Sequence, residues 1–333
     1  MKPERVVITG GLGFIGSTVT EYMLEKGSEV TVVDSLLSNV LEPSTLISTY
    51  NSANVVETTI AEYLANGTDI ADFDLLIHAA SFVGPASILQ YQGTIGQEIV
   101  SDTSRIIKSC LKADVPLIYF SSAEVYGKSG ILREGSDIRV PPYYNARIEY
   151  ALAKLTSEAM VINSRNQGLN GVVIRPFNVA GPRQSRAGGF VMPTFVQQAL
   201  GNKPITVFGT GKQKRAFLGA SDLANFLANY ISDGMLTNGS IYNIGNPANA
   251  TTIEDLARKV VKILDSQSEI TYMDPKSVYG PLYYEAESFE KLPDIKNARK
   301  LGWEPKKTLE DIILETASYY RNNQDTRGAD ARN

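Results

Sequence analysis

Short aliphatic runs alternate along the first half of the chain with longer stretches whose apolar residues recur every three or four positions. Val6-Val7-Ile8-Thr9, Val30-Thr31-Val32-Val33, Leu75-Leu76-Ile77-His78-Ala79-Ala80, Leu117-Ile118-Tyr119-Phe120 and Val172-Val173-Ile174-Arg175 read as buried strands. Ser17–Lys26, Ile99–Ala113 and Tyr150–Asn166 carry helical spacing, and Gly27 stops the first of them. This alternation predicts an α/β fold, a doubly wound and mostly parallel sheet with right-handed crossovers. After Pro176 the rhythm loosens and Gly, Pro and aromatic residues become frequent, although Phe190–Leu200 and Ile253–Leu264 still read as helices. We expect a smaller α/β substrate lobe there, lying over the ligand edge of the sheet, with Ile241–Ile244 returning as a sheet strand. The expected division is 1–176 plus 218–246 for the sheet domain, 177–217 and 247–323 for the lobe, and a frayed polar tail over 324–333.

Composition removes several function classes. The net charge of −4 offers no global field for nucleic acid or an anionic membrane, so neither is expected as a partner and an anionic ligand must be held by local groups. One cysteine, Cys110, excludes an internal disulfide, and with the single histidine, His78, it cannot build a His/Cys metal site. Both are read as structural, and no metal is expected. No apolar run reaches the length of a membrane span, and Met1–Arg5 shows no signal-peptide pattern, which makes the cytoplasm the expected compartment.

Between the first strand and the first helix lies Thr9-Gly10-Gly11-Leu12-Gly13-Phe14-Ile15-Gly16, with Gly10, Gly13 and Gly16 spaced G-x-x-G-x-x-G. Such a turn lets the backbone approach a pyrophosphate closely and delivers it to a helix N-terminus, where amides and dipole favour an anion. Asp34 closes the next strand, where an acid binds the ribose 2′-hydroxyl and repels a 2′-phosphate. The strand, turn, helix, strand and acid together are the Rossmann-type dinucleotide-binding fingerprint and select NAD. Phe14 and Ile15 in the turn, and Ala79 and Ala80 at the end of the third predicted strand, are further candidate cofactor contacts.

Tyr150 and Lys154 stand four apart on one helix face. A lysine charge near a phenol favours the phenolate, so Tyr150 is expected to have a lowered pKa and to act as base toward a sugar hydroxyl. Lys154 can also hold the nicotinamide ribose. That spacing alone is common on surface helices. Here the strand Leu117–Phe120 also delivers Ser121-Ser122-Ala123-Glu124-Val125-Tyr126-Gly127 at its carboxyl end, where open α/β sheets bind ligands.

With these residues the chain resembles the extended short-chain dehydrogenases/reductases over nearly its whole length, from Thr9-Gly10-Gly11 to Leu301-Gly302-Trp303-Glu304-Pro305. The resemblance implies Tyr150 as base, Lys154 as its partner and Ser122 as the third catalytic residue, with Ser121 by the cofactor. Arg175-Pro176-Phe177-Asn178 would set Pro176 and Phe177 by the nicotinamide and Asn178 on the substrate diphosphate. Gly211-Lys212-Gln213-Lys214-Arg215-Ala216-Phe217 is similar to the family segment whose arginine, here Arg215, grips that diphosphate. The family also implies a homodimer through Ile99–Ala113 and Tyr150–Asn166.

Within the family, Tyr242-Asn243-Ile244-Gly245-Asn246-Pro247 and Pro293-Asp294-Ile295-Lys296-Asn297-Ala298 are most similar to UDP-glucuronate decarboxylases. Members oxidise sugar C4 with NAD, and the resulting 4-ketone of a UDP-linked sugar then loses a carboxylate, turns over for epimerisation, or loses the C6 hydroxyl. Glu124 matches a glutamate of decarboxylases and dehydratases. Ala123 stands where 4,6-dehydratases carry an aspartic acid donor, which disfavours dehydration. Lys291 takes the place of a decarboxylase arginine, keeping the charge and losing the fork. The expected activity is therefore UDP-glucuronate decarboxylation, with nucleotide-sugar 4-epimerisation as the alternative and a non-catalytic NAD-binding protein behind both. Other departures from the family are Ile99 for a helix asparagine and Thr59 for an adenine-binding acid. Tyr279, Tyr283 and Tyr284 are candidates for the sugar pocket wall.

Overall fold

The computed structural model describes residues 3–65, 70–140, 144–232, 238–274, 276–279 and 289–323, with the backbone alone at 231–232 and 278–279. Seven strands open the chain: β1 (Arg5–Thr9), β2 (Glu29–Asp34), β3 (Ala53–Glu57), β4 (Leu75–His78), β5 (Leu117–Phe120), β6 (Gly130–Leu132) and β7 (Gly171–Pro176). All but β6 enter one seven-stranded sheet, completed by Ile241–Ile244 beyond β7 and running β7-β5-β4-β1-β2-β3 inward from it. Every neighbouring pair is parallel. The strands are apolar on both sides because helices cover both faces. Val6, Ile8, Val32 and Ile77 pack with Met23, Phe226 and Trp303 on one face. Val7, Val33, Leu76 and Tyr119 pack with Ile106, Ile107 and Val161 on the other.

The chain leaves β1 toward β2 and β3, then returns to β4 on the opposite side of β1. That reversal opens a crevice at the carboxyl ends of β1 and β4. The Gly10 amide donates to the Val33 carbonyl at 2.8 Å and the Ala79 amide to the Thr9 carbonyl at 3.1 Å, fastening the crevice floor.

Several elements differ from the expected boundaries. The first helix is Phe14–Glu25, starting inside the glycine turn, and the next two long helices are Ile95–Ala113 and Ala146–Ser164. The last begins early because Asn145 caps it, its side-chain oxygen accepting from the Ile148 amide at 2.9 Å. Strand β4 ends at His78, since Gly10 packs against Ala80 where a paired strand would continue. A helix at Leu309–Asn323 had no counterpart in the sequence reading.

In the lobe, Ala250–Thr252, Lys214–Ala216, Glu290–Pro293 and β6 form a four-stranded sheet in that order. Thus β6, from the amino-terminal half, pairs with lobe strands. The lobe has its own core of Phe195, Val196, Val207, Leu256, Val260 and Ile312. Among the described residues no helix is long and apolar enough to cross a membrane, and no His, Cys, Asp and Glu cluster could hold a metal. Tyr283, Tyr284, the Tyr279 side chain and the tail 324–333 lie outside the described residues.

Candidate active site

A cavity of about 1250 Å³ runs along the carboxyl edge of the sheet and under the lobe. Single-ligand pockets run to roughly 1,000 Å³, so this one has room for a cofactor and a substrate side by side. At its inner end lie Gly10, Gly13, Phe14, Ile15 and Gly16, with Asp34, Ala79 and Ala80 beside them.

The glycine turn is compressed to the limit of the backbone. Gly10 has φ +70°, and a Cβ on Gly16 would sit 1.9 Å from the Gly10 carbonyl oxygen. Gly13 stands at the N-cap of Phe14–Glu25 with no side-chain hydrogen bond, so the helix mouth is left to backbone amides. Asp34 accepts from the Leu12 and Leu36 amides, both at 3.0 Å, and so braces the turn. Each carboxylate oxygen has a second lone pair for a ribose hydroxyl. The buried Ser121 hydroxyl on the same wall has no hydrogen-bond partner among the described residues. A cradle only glycine fits, an open helix mouth, an acid and an orphaned hydroxyl suit a dinucleotide. Phe177 departs from its expected role. It is fully buried among Ala123, Val125, Tyr126 and Leu132 and is absent from the cavity wall, whereas Pro176 and Asn178 line it.

Ser122 caps the short turn Ala123–Tyr126, its oxygen accepting from the Glu124 amide at 3.2 Å. Tyr150, from the first turns of Ala146–Ser164, reaches the same spot, and a hydrogen bond with the Ser122 side chain pulls its phenol toward ionisation. Burial outweighs that pull, and the Glu124 charge adds to it, so the phenol lies above its ordinary value. The expected lowering by Lys154 is therefore not found. The Lys154 ammonium donates to the Phe120 carbonyl at 2.9 Å and lies 6.0 Å from the Tyr150 ring centre. Burial brings Lys154 itself down to about 7, with Glu158 opposing. His78 meets Thr9 Oγ1 at 2.8 Å through Nδ1, and burial together with Lys154 pushes it down to about 3, so it stays neutral.

At the outer end, Glu124 sits among cations. Lys291 Nζ donates to its Oε1 at 2.6 Å, and Arg147 Nε lies 3.3 Å from its Oε2. Burial acts to raise the Glu124 carboxyl, but Arg147 and Lys291 outweigh it and hold the group well below the usual carboxylate range. Lys291 is brought down to about 8 by burial, with Glu124 opposing and Arg147 and Arg215 adding to the fall. Arg215 and Lys291 are in register on adjacent parallel strands, which brings both cations to one place. Asn178 has φ +39° and donates to the Ala216 carbonyl at 3.2 Å, tying β7's end to the Arg215 strand. The sequence reading missed Arg147; its spacing of three from Tyr150, on the same helical face, was the available signal.

The crevice at the sheet's reversal, with serine, tyrosine and lysine over it, defines a dinucleotide-dependent enzyme of the doubly wound α/β class. The chain belongs to the NAD dependent epimerase/dehydratase family, whose model matches residues 6–245, and its cofactor is NAD. It is 26% identical over 322 residues to the UDP-N-acetyl-alpha-D-glucosaminuronate decarboxylase of Bacillus cytotoxicus, covering 96% of this chain and 98% of that one. It is 28% identical to UDP-glucuronic acid decarboxylase 1 of Xenopus tropicalis, covering 96% of this chain and 72% of that one. Its fold matches that of a UDP-N-acetylglucosamine 4-epimerase from Methanobrevibacter ruminantium, solved with UDP-N-acetylmuramic acid, at a TM-score of 0.83 and 24% identity, covering 97% and 100% of the two chains.

Proposed function

We propose that this enzyme decarboxylates a UDP-linked hexuronate by transient oxidation at C4. The observation that carries the reading is the outer corner of the cavity, where Lys291, Arg147 and Arg215 gather about Glu124, next to Ser122 and Tyr150. Arg215 and Asn178 suit a diphosphate. Lys291 and Arg147 then remain near the sugar, where a C5 carboxylate needs a counter-charge. Gly10, Gly13, Gly16 and Asp34 would hold NAD, which would supply a hydride acceptor and donor for C4. Tyr150 enters this step as the phenolate, which the Lys154 ammonium must stabilise against burial; it takes the proton of the C4 hydroxyl with Ser122 bridging and becomes neutral as the hydride leaves. The C5–C6 bond of the keto acid breaks, carbon dioxide leaves, and its electron pair passes to the C4 oxygen as an enolate. A proton then adds at C5 and the alcohol is restored, so that UDP-hexuronate and one proton give UDP-pentose and carbon dioxide.

The two decarboxylase relatives support this reading. A 4-epimerase is the second reading, favoured by the single-point contact of Lys291 where decarboxylases carry an arginine fork. Protein loaded with NAD is incubated with UDP-glucuronate and the products are weighed by mass spectrometry. Release of carbon dioxide and a pentose product is expected, while retention of all carbons with inversion at C4 selects the epimerase. Tyr150→Phe should abolish turnover and leave NAD binding intact; undiminished turnover refutes the assignment of the base. The family likeness also supports a homodimer through Ile95–Ala113 and Ala146–Ser164, which light scattering tests.

A further inference from the structure

A buried ion pair behind the catalytic helix has no part in the steps above. Glu158 follows Lys154 by one helical turn and so shares its face. Arg175, on β7, donates to its two oxygens from Nε at 2.8 Å and from Nη2 at 2.6 Å. The two side chains are only 2% and 3% exposed. The guanidinium carbon lies 4.8 Å from the centre of the Tyr126 ring, whose hydroxyl donates to Asn243 Oδ1 at 2.7 Å. Tyr126 closes the turn that Ser122 opens. The pair therefore stands between the helix of Tyr150 and Lys154 and the turn of Ser122 and Glu124. Buried ion pairs are weak stabilisers, and apolar replacements are often as stable, so stability alone does not account for one at this position.

We infer that Glu158, clamped by Arg175, is a positioning residue that keeps the Lys154 ammonium charged inside a dry interior. The groups facing Lys154 offer little other help. From β4 comes His78, which is neutral. From β5 come the Tyr119 ring, 5.1 Å below the ammonium, and the Phe120 carbonyl. On its own helix stands Tyr150, and burial raises both phenols, so neither readily supplies a negative charge. Glu158 is the group that opposes the loss of the Lys154 proton. Arg175 supplies the counter-charge without which a carboxylate is costly to bury. A charged Lys154 is needed for any C4 oxidation, so the inference rests on that step and not on the loss of carbon dioxide.

The test is a titration of the Lys154 side-chain nitrogen by NMR in 15N-lysine-labelled, NAD-loaded protein, assigned by the signal lost in Lys154→Met. In Glu158→Gln the ammonium faces Arg175 without its counter-ion, and the midpoint is expected to fall by about one unit or more. The double variant Glu158→Leu with Arg175→Met removes both charges together and guards against a variant that does not fold; its midpoint is expected to move the same way. The alkaline limb of the turnover profile should move with it, which a purely structural pair would not cause. An unshifted Lys154 midpoint in either folded variant overturns the inference. Because the titration needs no turnover, a normal shift without carbon dioxide release counts against the proposed reaction alone.

Discussion

Replacing Lys291 by methionine separates a uronate-binding corner from a merely structural ion pair. The position is 5% exposed and the new side chain is of similar length, so the perturbation is mainly electrostatic. Two stability effects oppose each other. Burial brings Lys291 down to about 8 from an ordinary 10.5, so its charge is costly to keep, and removing it relieves that desolvation. Glu124 loses its 2.6 Å partner, and breaking a buried pair costs about 3–5 kcal/mol, yet Arg147 remains at 3.3 Å. The first effect offsets part of the second, so the net loss should stay below about 3 kcal/mol and leave a folded enzyme. Binding should respond differently. A charge-assisted contact to a substrate carboxylate contributes about 1.5–3 kcal/mol, which is roughly 10- to 100-fold in kcat/KM at 1.4 kcal/mol per decade. We expect that loss with UDP-glucuronate and less than about threefold change in the affinity for UDP-glucose, which lacks the charge. Steady-state kinetics and calorimetric binding of both ligands provide the assay. An equal loss with both, or none with the uronate, refutes the placement of the carboxylate.

Three further outcomes follow from single positions. Gly16→Ala puts a methyl 1.9 Å from the Gly10 oxygen, so NAD affinity should fall at least about tenfold and stability by about 1–3 kcal/mol, read by calorimetry and denaturant unfolding. Asp34→Asn removes the charge that repels a 2′-phosphate and keeps an acceptor for one of the Leu12 and Leu36 amides, its NH2 group facing the other, and the preference for NAD over NADP should narrow several-fold in direct binding. His78 titrates at about 3 folded and 6.5 as a model group, so the unfolded chain takes a proton that the native one refuses. Its contribution is present above pH 6.5 and lost on acidification, with a slope approaching 1.4 kcal/mol per unit. His78→Gln should flatten the stability profile between about pH 5 and 6, where few carboxylates titrate.

The sheet was legible because its strands are continuous apolar runs, and only burial on both faces produces those. The expected boundaries slipped where tertiary contacts intervene. The mostly apolar run Leu75 to Ala80 suggested a longer strand, but the glycine turn occupies the ground beside Ala80. The strand Gly130–Leu132 is short, carries a glycine, and gains its pairing from Glu290–Pro293 more than 150 residues away, a partner no local pattern announces. The cavity wall was legible where spacing shares a helix face, as for Tyr150 and Lys154. The charge state of that pair was not, because it is set by burial: the phenol rises and the ammonium falls once both leave water. Phe177 shows the same limit, since position beside Pro176 did not reveal which way the side chain turns.

The cationic corner belongs to neither half of the molecule alone. Glu124 and Arg147 come from the turn after β5 and from the helix of Tyr150, while Arg215 and Lys291 come from paired lobe strands. Like charges in neighbouring register repel, and here that repulsion contributes to the depression of Lys291. Arg147, Lys291 and Arg215 all pull the Glu124 carboxyl down, and it is at this corner that the proposed reading puts the negative charge of the substrate. Electrostatic preorganisation of this kind needs no rearrangement when the substrate arrives. On the proposed function, substrate choice lies at the junction between sheet and lobe, and the oxidation chemistry on the sheet side, in Ser122, Tyr150 and Lys154.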